Sequence, residues 1–142
     1  MSSNSRLTVA VHVLTWMALV EPGRDGGAIT SDELANSVNT NPVVVRRILG
    51  QLREAGLVAA QRGQGAGWRL ARAPGAIDLA AVRAAVESDP LFSLHAATPN
   101  QACPVGRGIQ PVLRQTYSRA ESAVRDELAG ISIADVLRET MG

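Results

Sequence analysis

Hydrophobic residues return every three or four positions along most of the chain, and this spacing predicts a mainly helical protein. The first such stretch predicts a helix over residues 5–20, because four apolar side chains fall on one stripe. These residues are Leu7, Val11, Leu14 and Ala18. The loop that follows, residues 22–27, is rich in glycine and begins with proline, which is typical of a break between helices.

Capping residues then mark the start of two further helices. Thr30 or Ser31 can accept a hydrogen bond from the first turn of a second helix, which acidic residues also favour. Asn41 can cap a third helix, with Pro42 at the first position, where its missing amide costs nothing. The inward face of this third helix is predicted to consist of Val45, Ile48, Leu49 and Leu52.

A hairpin is predicted directly after the helix pair. Residues 57–58 begin a strand, residues 62–67 are too rich in glycine to be regular structure, and residues 68–70 return as a second strand. Helix, turn, helix and hairpin, in this order, form the winged helix-turn-helix arrangement that holds duplex DNA. We therefore predict such a DNA-binding domain over residues 1–75.

The remaining residues, 76–142, are predicted to form a helical dimerisation and sensor region. Asp78 caps a fourth helix, residues 89–108 are mostly loop, and a long amphipathic helix spans residues 109–128. The apolar stripe of this helix is longer than the width of the predicted DNA-binding domain. We therefore expect a second copy of the chain to cover part of the stripe. The predicted dimer interface comprises Ile109, Val112, Leu113, Thr116, Ala120, Val124 and Leu128. A last short helix follows a cap at Ser132.

Charge is distributed unevenly, although the net charge of the 142 residues is only +1. Residues 41–72 hold six arginines and one acidic residue, whereas the rest of the chain holds eight arginines and twelve acidic residues. A basic face on a mildly acidic body is typical of a surface that meets polyphosphate. The residues predicted to contact DNA are Thr30, Ser31, Asn39, Thr40, Asn41, Val43, Arg46, Arg47, Gln51, Arg62, Gln64 and Arg69.

The predicted contacts differ in which part of the DNA they would meet. Arg46 or Arg47 can bond a guanine in the major groove, Gln51 is less well placed to read adenine, and Val43 can touch a thymine methyl group. Residues near the helix starts suit phosphates. The glycine-rich wing can enter a minor groove, where arginine reads shape.

Other classes of protein fit less well. No catalytic motif and no cluster of carboxylates is present, so an enzyme is not expected. No apolar run is long enough to span a membrane, no signal peptide is evident, and a single cysteine fits a reducing cytoplasm. The alternative is a winged-helix module that binds an acidic protein partner.

The chain resembles the Rrf2 family of bacterial transcription regulators. The resemblance rests on the third helix, on residues 54–58, on the wing from Arg62 to Arg72 and on the helix that starts at residue 77. It implies a homodimeric repressor whose long helix crosses between protomers and whose wing arginine, Arg62, lies in the minor groove. Ala66 replaces a glycine that is usual in the wing of this family.

Cysteine content departs from the family pattern. Members that hold an iron–sulphur cluster use three cysteines before the long helix, whereas this chain has only Cys103, with His95 eight residues earlier. The acidic first-helix ligand of some members is also lacking, because the matching position is Thr8. One thiolate does not make a four-ligand set, so we expect no cluster. Cys103 is instead a candidate redox sensor, because the long helix would favour its thiolate if it began near Val105; a small-molecule effector is the other candidate signal.

Overall fold

The computed structural model describes residues 3–142, with side chains from Ser5 onward. It confirms a mainly helical fold with a small antiparallel sheet. The elements are α1 (Ser3–Val20), α2 (Ser31–Val38), α3 (Pro42–Glu54), β1 (Val58–Gln61), β2 (Gly67–Leu70), α4 (Leu79–Val86), α5 (Pro104–Ala129) and α6 (Ile133–Met141). Short 3-10 turns occur at Glu21–Arg24 and Pro74–Ala76.

The chain packs as two compact units. The first contains the residues up to 88 together with residues 128–142, and the second contains residues 89–127. The last helix, α6, therefore packs in the same unit as the helix-turn-helix. The functional division at residue 75 stays a prediction.

An aliphatic core holds the first unit together. It combines apolar side chains from every helix of this unit, and α1 contributes the largest share: Val13, Leu14 and Met17 are fully buried. Ile77 and Ile133 complete it beside α4 and α6. Burial of this apolar surface fixes the positions of α2 and α3.

The third helix forms as its sequence predicts. The Asn41 side chain accepts a hydrogen bond from the Val43 amide at 2.8 Å, and Pro42 occupies the first helical position. The inward residues of this helix, Val45, Ile48, Leu49 and Leu52, are all buried. Gly56 follows the end of the helix with a φ of +76°, a conformation that favours glycine.

The wing is a two-stranded hairpin with an additional contact on its outer edge. Val58 pairs with Leu70, and Gln61 pairs with Gly67. On the other side of β2, Trp68 forms an isolated bridge with Ile29, which lies in the connection between α1 and α2. A side chain at Gly67 would meet the Ile29 carbonyl oxygen at 2.6 Å, so glycine is required where the two backbones approach.

The long helix begins earlier than its sequence predicts. It starts at Pro104 instead of Ile109, and it includes Pro111. The glycines near its start are typical of a loop, and Gly106 lies so close to the Asn100 backbone that a side chain would collide with it. The preceding loop therefore packs closely against a first turn of low helical propensity.

Candidate nucleic-acid interface

The exposed face of α3 carries the residues predicted to enter the major groove. Arg46 and Arg47 are exposed in the first half of the helix, and Val43 is 52% exposed. This is the end from which recognition helices contact base edges. The arrangement agrees with the predicted roles of the three residues, which stay predictions.

Gln51 lies on the edge of this face. It is half-buried, its side-chain oxygen is shielded from solvent, and that oxygen has no hydrogen-bond partner among the described residues. A buried amide oxygen costs free energy unless a donor reaches it. Gln51 is therefore less available for base contact than the two arginines of α3.

The start of α2 and the turn before α3 place their polar side chains at helix ends. The Thr30 hydroxyl accepts a hydrogen bond from the Glu33 amide at 3.1 Å, and Ser31 begins the helix. Asn39 caps the end of α2 with a φ of +62°, and Thr40 donates its amide to the Ala35 carbonyl. The oxygen atoms of Thr30 and Asn41 are thus used for capping, which leaves the Thr30 hydroxyl proton and the Asn41 amide group for phosphates.

The tip of the wing is exposed. Arg62 and Gln64 alternate with Gly63 and Gly65, whose φ values are +82° and +75°. Side chains other than glycine rarely adopt these values, so the glycines allow the narrow turn. Arg62 makes no hydrogen bond or ion pair with any described residue, and its guanidinium group is therefore available to a ligand.

Arg69 has a different environment. Its Nη1 atom donates to the Gly26 carbonyl at 2.8 Å and to the Gln61 side-chain oxygen at 3.3 Å. The guanidinium group therefore joins the wing to the loop before α2. The prediction that Arg69 contacts DNA is not tested by these contacts, but part of its donor capacity is already used.

An ion pair removes one acidic charge from this surface. Arg24 bonds both carboxylate oxygens of Glu33, at 3.2 and 2.5 Å, and lies 6.0 Å from the centre of the Trp16 ring. The hydrogen bond from Arg24 holds the pKa of the Glu33 carboxyl below its usual value. The same contact raises the pKa of Arg24. Glu33 is thus ionised but neutralised near the start of α2.

The second unit contains the candidate sensor. Cys103 is exposed and immediately precedes α5, and its amide donates to the Asn100 carbonyl at 3.2 Å. The Gln110 Nε2 atom lies 3.4 Å from the His95 Nδ1 atom. Across residues 3–142, no three histidine, cysteine or acidic side chains gather into a group that could hold a metal ion.

The residues predicted for a dimer interface lie along α5 and are at most half-buried. Ile109, Leu113, Ala120, Val124 and Leu128 are half-buried, whereas Val112 and Thr116 are exposed. The Thr116 hydroxyl donates to the Val112 carbonyl, so it is satisfied within the helix. No described residue of this 26-residue helix is buried.

The sequence did not point to Glu21, a residue that contacts the wing. The Glu21 carboxylate accepts a hydrogen bond from the Leu70 amide at 3.0 Å, and so connects the end of α1 to the wing. The two residues are 49 positions apart, and no motif or periodicity links them.

Comparison with known proteins decides the family. The sequence profile of the Rrf2 family, described as iron-dependent transcriptional regulator, matches residues 3–139. The chain belongs to the Rrf2 family. The Bacillus subtilis (strain 168) protein YwnA, named as an HTH-type transcriptional regulator, is 39% identical over 135 residues, which cover 94% of this chain and 96% of YwnA.

Solved structures agree with this assignment. A protein of known crystal structure, named as DNA-binding, is 36% identical to this chain. The match covers 94% of this chain and 99% of that protein, and the two structures superpose with a TM-score of 0.73. A transcriptional regulator from Lactobacillus plantarum superposes on this chain with a TM-score of 0.80. The match covers 96% of this chain and 89% of the regulator, at 22% identity. At this identity the likeness concerns the fold alone.

The predicted function is confirmed at the level that these likenesses support. This Rrf2 member is a DNA-binding transcriptional regulator with a winged helix-turn-helix fold. Among the helices in the described part of the chain, none combines the length and the apolarity needed to cross a bilayer.

Proposed function

We propose that this Rrf2 protein is a homodimeric repressor that binds duplex DNA through α3 and the wing and responds to a redox signal or a small ligand. One observation carries the DNA-binding part: Arg46, Arg47 and Arg62 are exposed in one compact unit, on the elements that the winged helix-turn-helix presents to DNA.

The two elements read DNA in different ways. α3 enters the major groove, where Arg46 or Arg47 donates two hydrogen bonds to a guanine and Val43 contacts a thymine methyl group. The wing enters the minor groove, which is only about 6 Å wide, and its glycines make it thin enough to do so. Arg62 then reads the narrow groove through its negative potential.

The long helix supports a dimer. Its 26 residues span about 39 Å at the usual rise per residue. Val105 and Val112 are 65% and 62% exposed, and no residue of the helix is buried in the single chain. We propose that α5 of a second copy covers this surface and that the two recognition helices then meet successive half-sites.

The signal is proposed to act without an iron–sulphur cluster. A cluster needs four ligands that are mostly thiolates, and this chain offers Cys103 alone, with His95 already close to Gln110. The donor set therefore does not fit a cluster of the usual kind. Anaerobic incubation with iron and sulphide should produce no visible absorption band of an iron–sulphur cluster.

Cys103 is the candidate redox group, because it is exposed and directly precedes the proposed dimerisation helix. Oxidation there adds bulk or a cross-link at the first turn of α5. A Cys103→Ser variant should keep DNA binding after peroxide treatment that abolishes it in the wild type. An identical response of both proteins would move the signal to a small ligand.

The experiment that tests the proposal is fluorescence anisotropy with DNA from the protein's own promoter, at several salt concentrations, with reductant or peroxide. Tight binding should weaken steeply with salt, since each neutralised phosphate contributes a slope of about −0.9 in a plot of log affinity against log salt. Equal affinity for promoter and unrelated DNA would contradict sequence-specific regulation.

A further inference from the structure

We infer that Glu21 is a positioning residue for DNA binding: its carboxylate holds the wing in the orientation in which Arg62 meets the duplex. Glu21 lies in the connection between α1 and α2 and is not itself among the residues predicted to contact DNA. This inference rests on the proposed function, in which the wing reads DNA.

Both edges of β2 form hydrogen bonds, each edge with different partners. One edge pairs with β1. On the other edge the Trp68 amide donates to the Ile29 carbonyl at 2.7 Å, and the Ile29 amide donates back at 2.9 Å. The next outward amide along β2 is that of Leu70, and it donates to the Glu21 carboxylate at 3.0 Å. Glu21 thus supplies the acceptor that a third strand would otherwise provide.

Arg69 strengthens the same connection. Its guanidinium group joins the Gly26 carbonyl, in the α1–α2 connection, to the Gln61 side chain of β1. Glu21, Gly26 and Ile29 therefore contact the wing at three places within nine residues. All of these residues lie in the first compact unit.

The wing depends on such contacts because it is small. A two-stranded hairpin is marginally stable by itself, and residues 62–66 at its tip are exposed. Its orientation is therefore set where it joins the unit. Loss of the Glu21 carboxylate leaves the contacts of Gly26 and Ile29 in place but removes one of the three restraints, so the wing adopts less often the orientation that places Arg62 in the minor groove.

The test replaces Glu21 in the full-length protein and measures affinity for promoter DNA. Glu21→Ala should weaken binding by roughly tenfold, the size of one hydrogen bond to a charged group. Removal of a negative charge near DNA would by itself tighten binding, so a loss of affinity could not result from the change in charge. Glu21→Gln is the matched control, because its amide oxygen still accepts from Leu70, and it should bind at least as tightly as the wild type.

A double-mutant cycle separates positioning from general destabilisation. If Glu21 acts through Arg62, the Glu21→Ala change should cost little further affinity in an Arg62→Ala background. Additive losses would overturn the inference. If Glu21→Ala does not fold by circular dichroism, Glu21→Asp, which keeps the charge but shortens the reach, takes its place in the cycle.

The positioning role of Glu21 and the DNA-reading role of the wing would be contradicted by different results. Normal binding by Glu21→Ala, together with a loss for Arg62→Ala, would overturn the positioning role and leave the proposed function standing. Normal binding by Arg62→Ala would overturn the role of the wing in the proposed function, and the inference with it.

Discussion

Truncation of Val112 on α5 should weaken the proposed dimer by a predictable amount. The side chain is 62% exposed in the single chain. Full burial of a valine side chain contributes about 1.5–2 kcal/mol, so covering the exposed part contributes about 1 kcal/mol. A two-fold dimer contains the substitution twice, and Val112→Ala should therefore cost about 2 kcal/mol, or a roughly 30-fold rise in the dimer dissociation constant.

Sedimentation equilibrium of the full-length protein measures this constant directly. Val43→Ala is the matched control, since it makes the same change at a valine that is 52% exposed on α3. It should leave the dimer constant unchanged and weaken promoter binding. A Val112→Ala protein with the wild-type dimer constant would refute the assignment of this face of α5 to the interface.

Three further results are expected. Arg47→Ala should broaden the set of sequences recovered in a selection of bound DNA, with a loss of about 1–3 kcal/mol for the preferred site; unchanged preference would remove Arg47 from base reading. Asn41→Ala should lower the free energy of unfolding in urea by about 1 kcal/mol, because it removes the cap of α3. The hydrogen bond from Arg24 lowers the pKa of Glu33, so its stabilising contribution should be complete above an unfolded-state pKa of about 4.3 and should disappear as the pH falls further. Urea unfolding at neutral pH and at a pH below this value should show a larger loss of stability for the wild type than for Glu33→Gln, which keeps only the pH dependence of other carboxyls such as Asp135.

The helix-turn-helix was predictable because its signals are local. Asn41, Pro42 and Gly56 are each read from a few neighbouring residues, and the buried face of α3 follows from the helical period alone. The same holds for the Asp78 and Ser132 caps of α4 and α6, which the structure confirms. Local chemistry therefore predicts most of the fold of the first unit.

The first turn of α5 was not predictable from local signals. Gly106 and Gly108 lower helical propensity, and Pro111 lacks an amide for the helical hydrogen-bond ladder. The helix nonetheless begins at Pro104, and the Asn100 backbone lies against Gly106 at a distance that only glycine permits. The sequence pattern contains no sign of this close approach between residues six positions apart, so the start of the helix had to come from the structure.

The DNA-binding surface depends both on local sequence signals and on contacts between residues that are distant in the sequence. The orientation of α3 follows from its own cap and buried face, whereas that of the wing depends on Glu21 and Arg69, which contact residues more than 40 positions away in the sequence. Substitutions between α1 and α2 can therefore change how the wing reads DNA while the recognition helix stays in place. For the same reason, the exposed charges of a winged helix-turn-helix do not by themselves define its specificity, because arginine in a narrow groove acts only when the backbone that carries it is held in position.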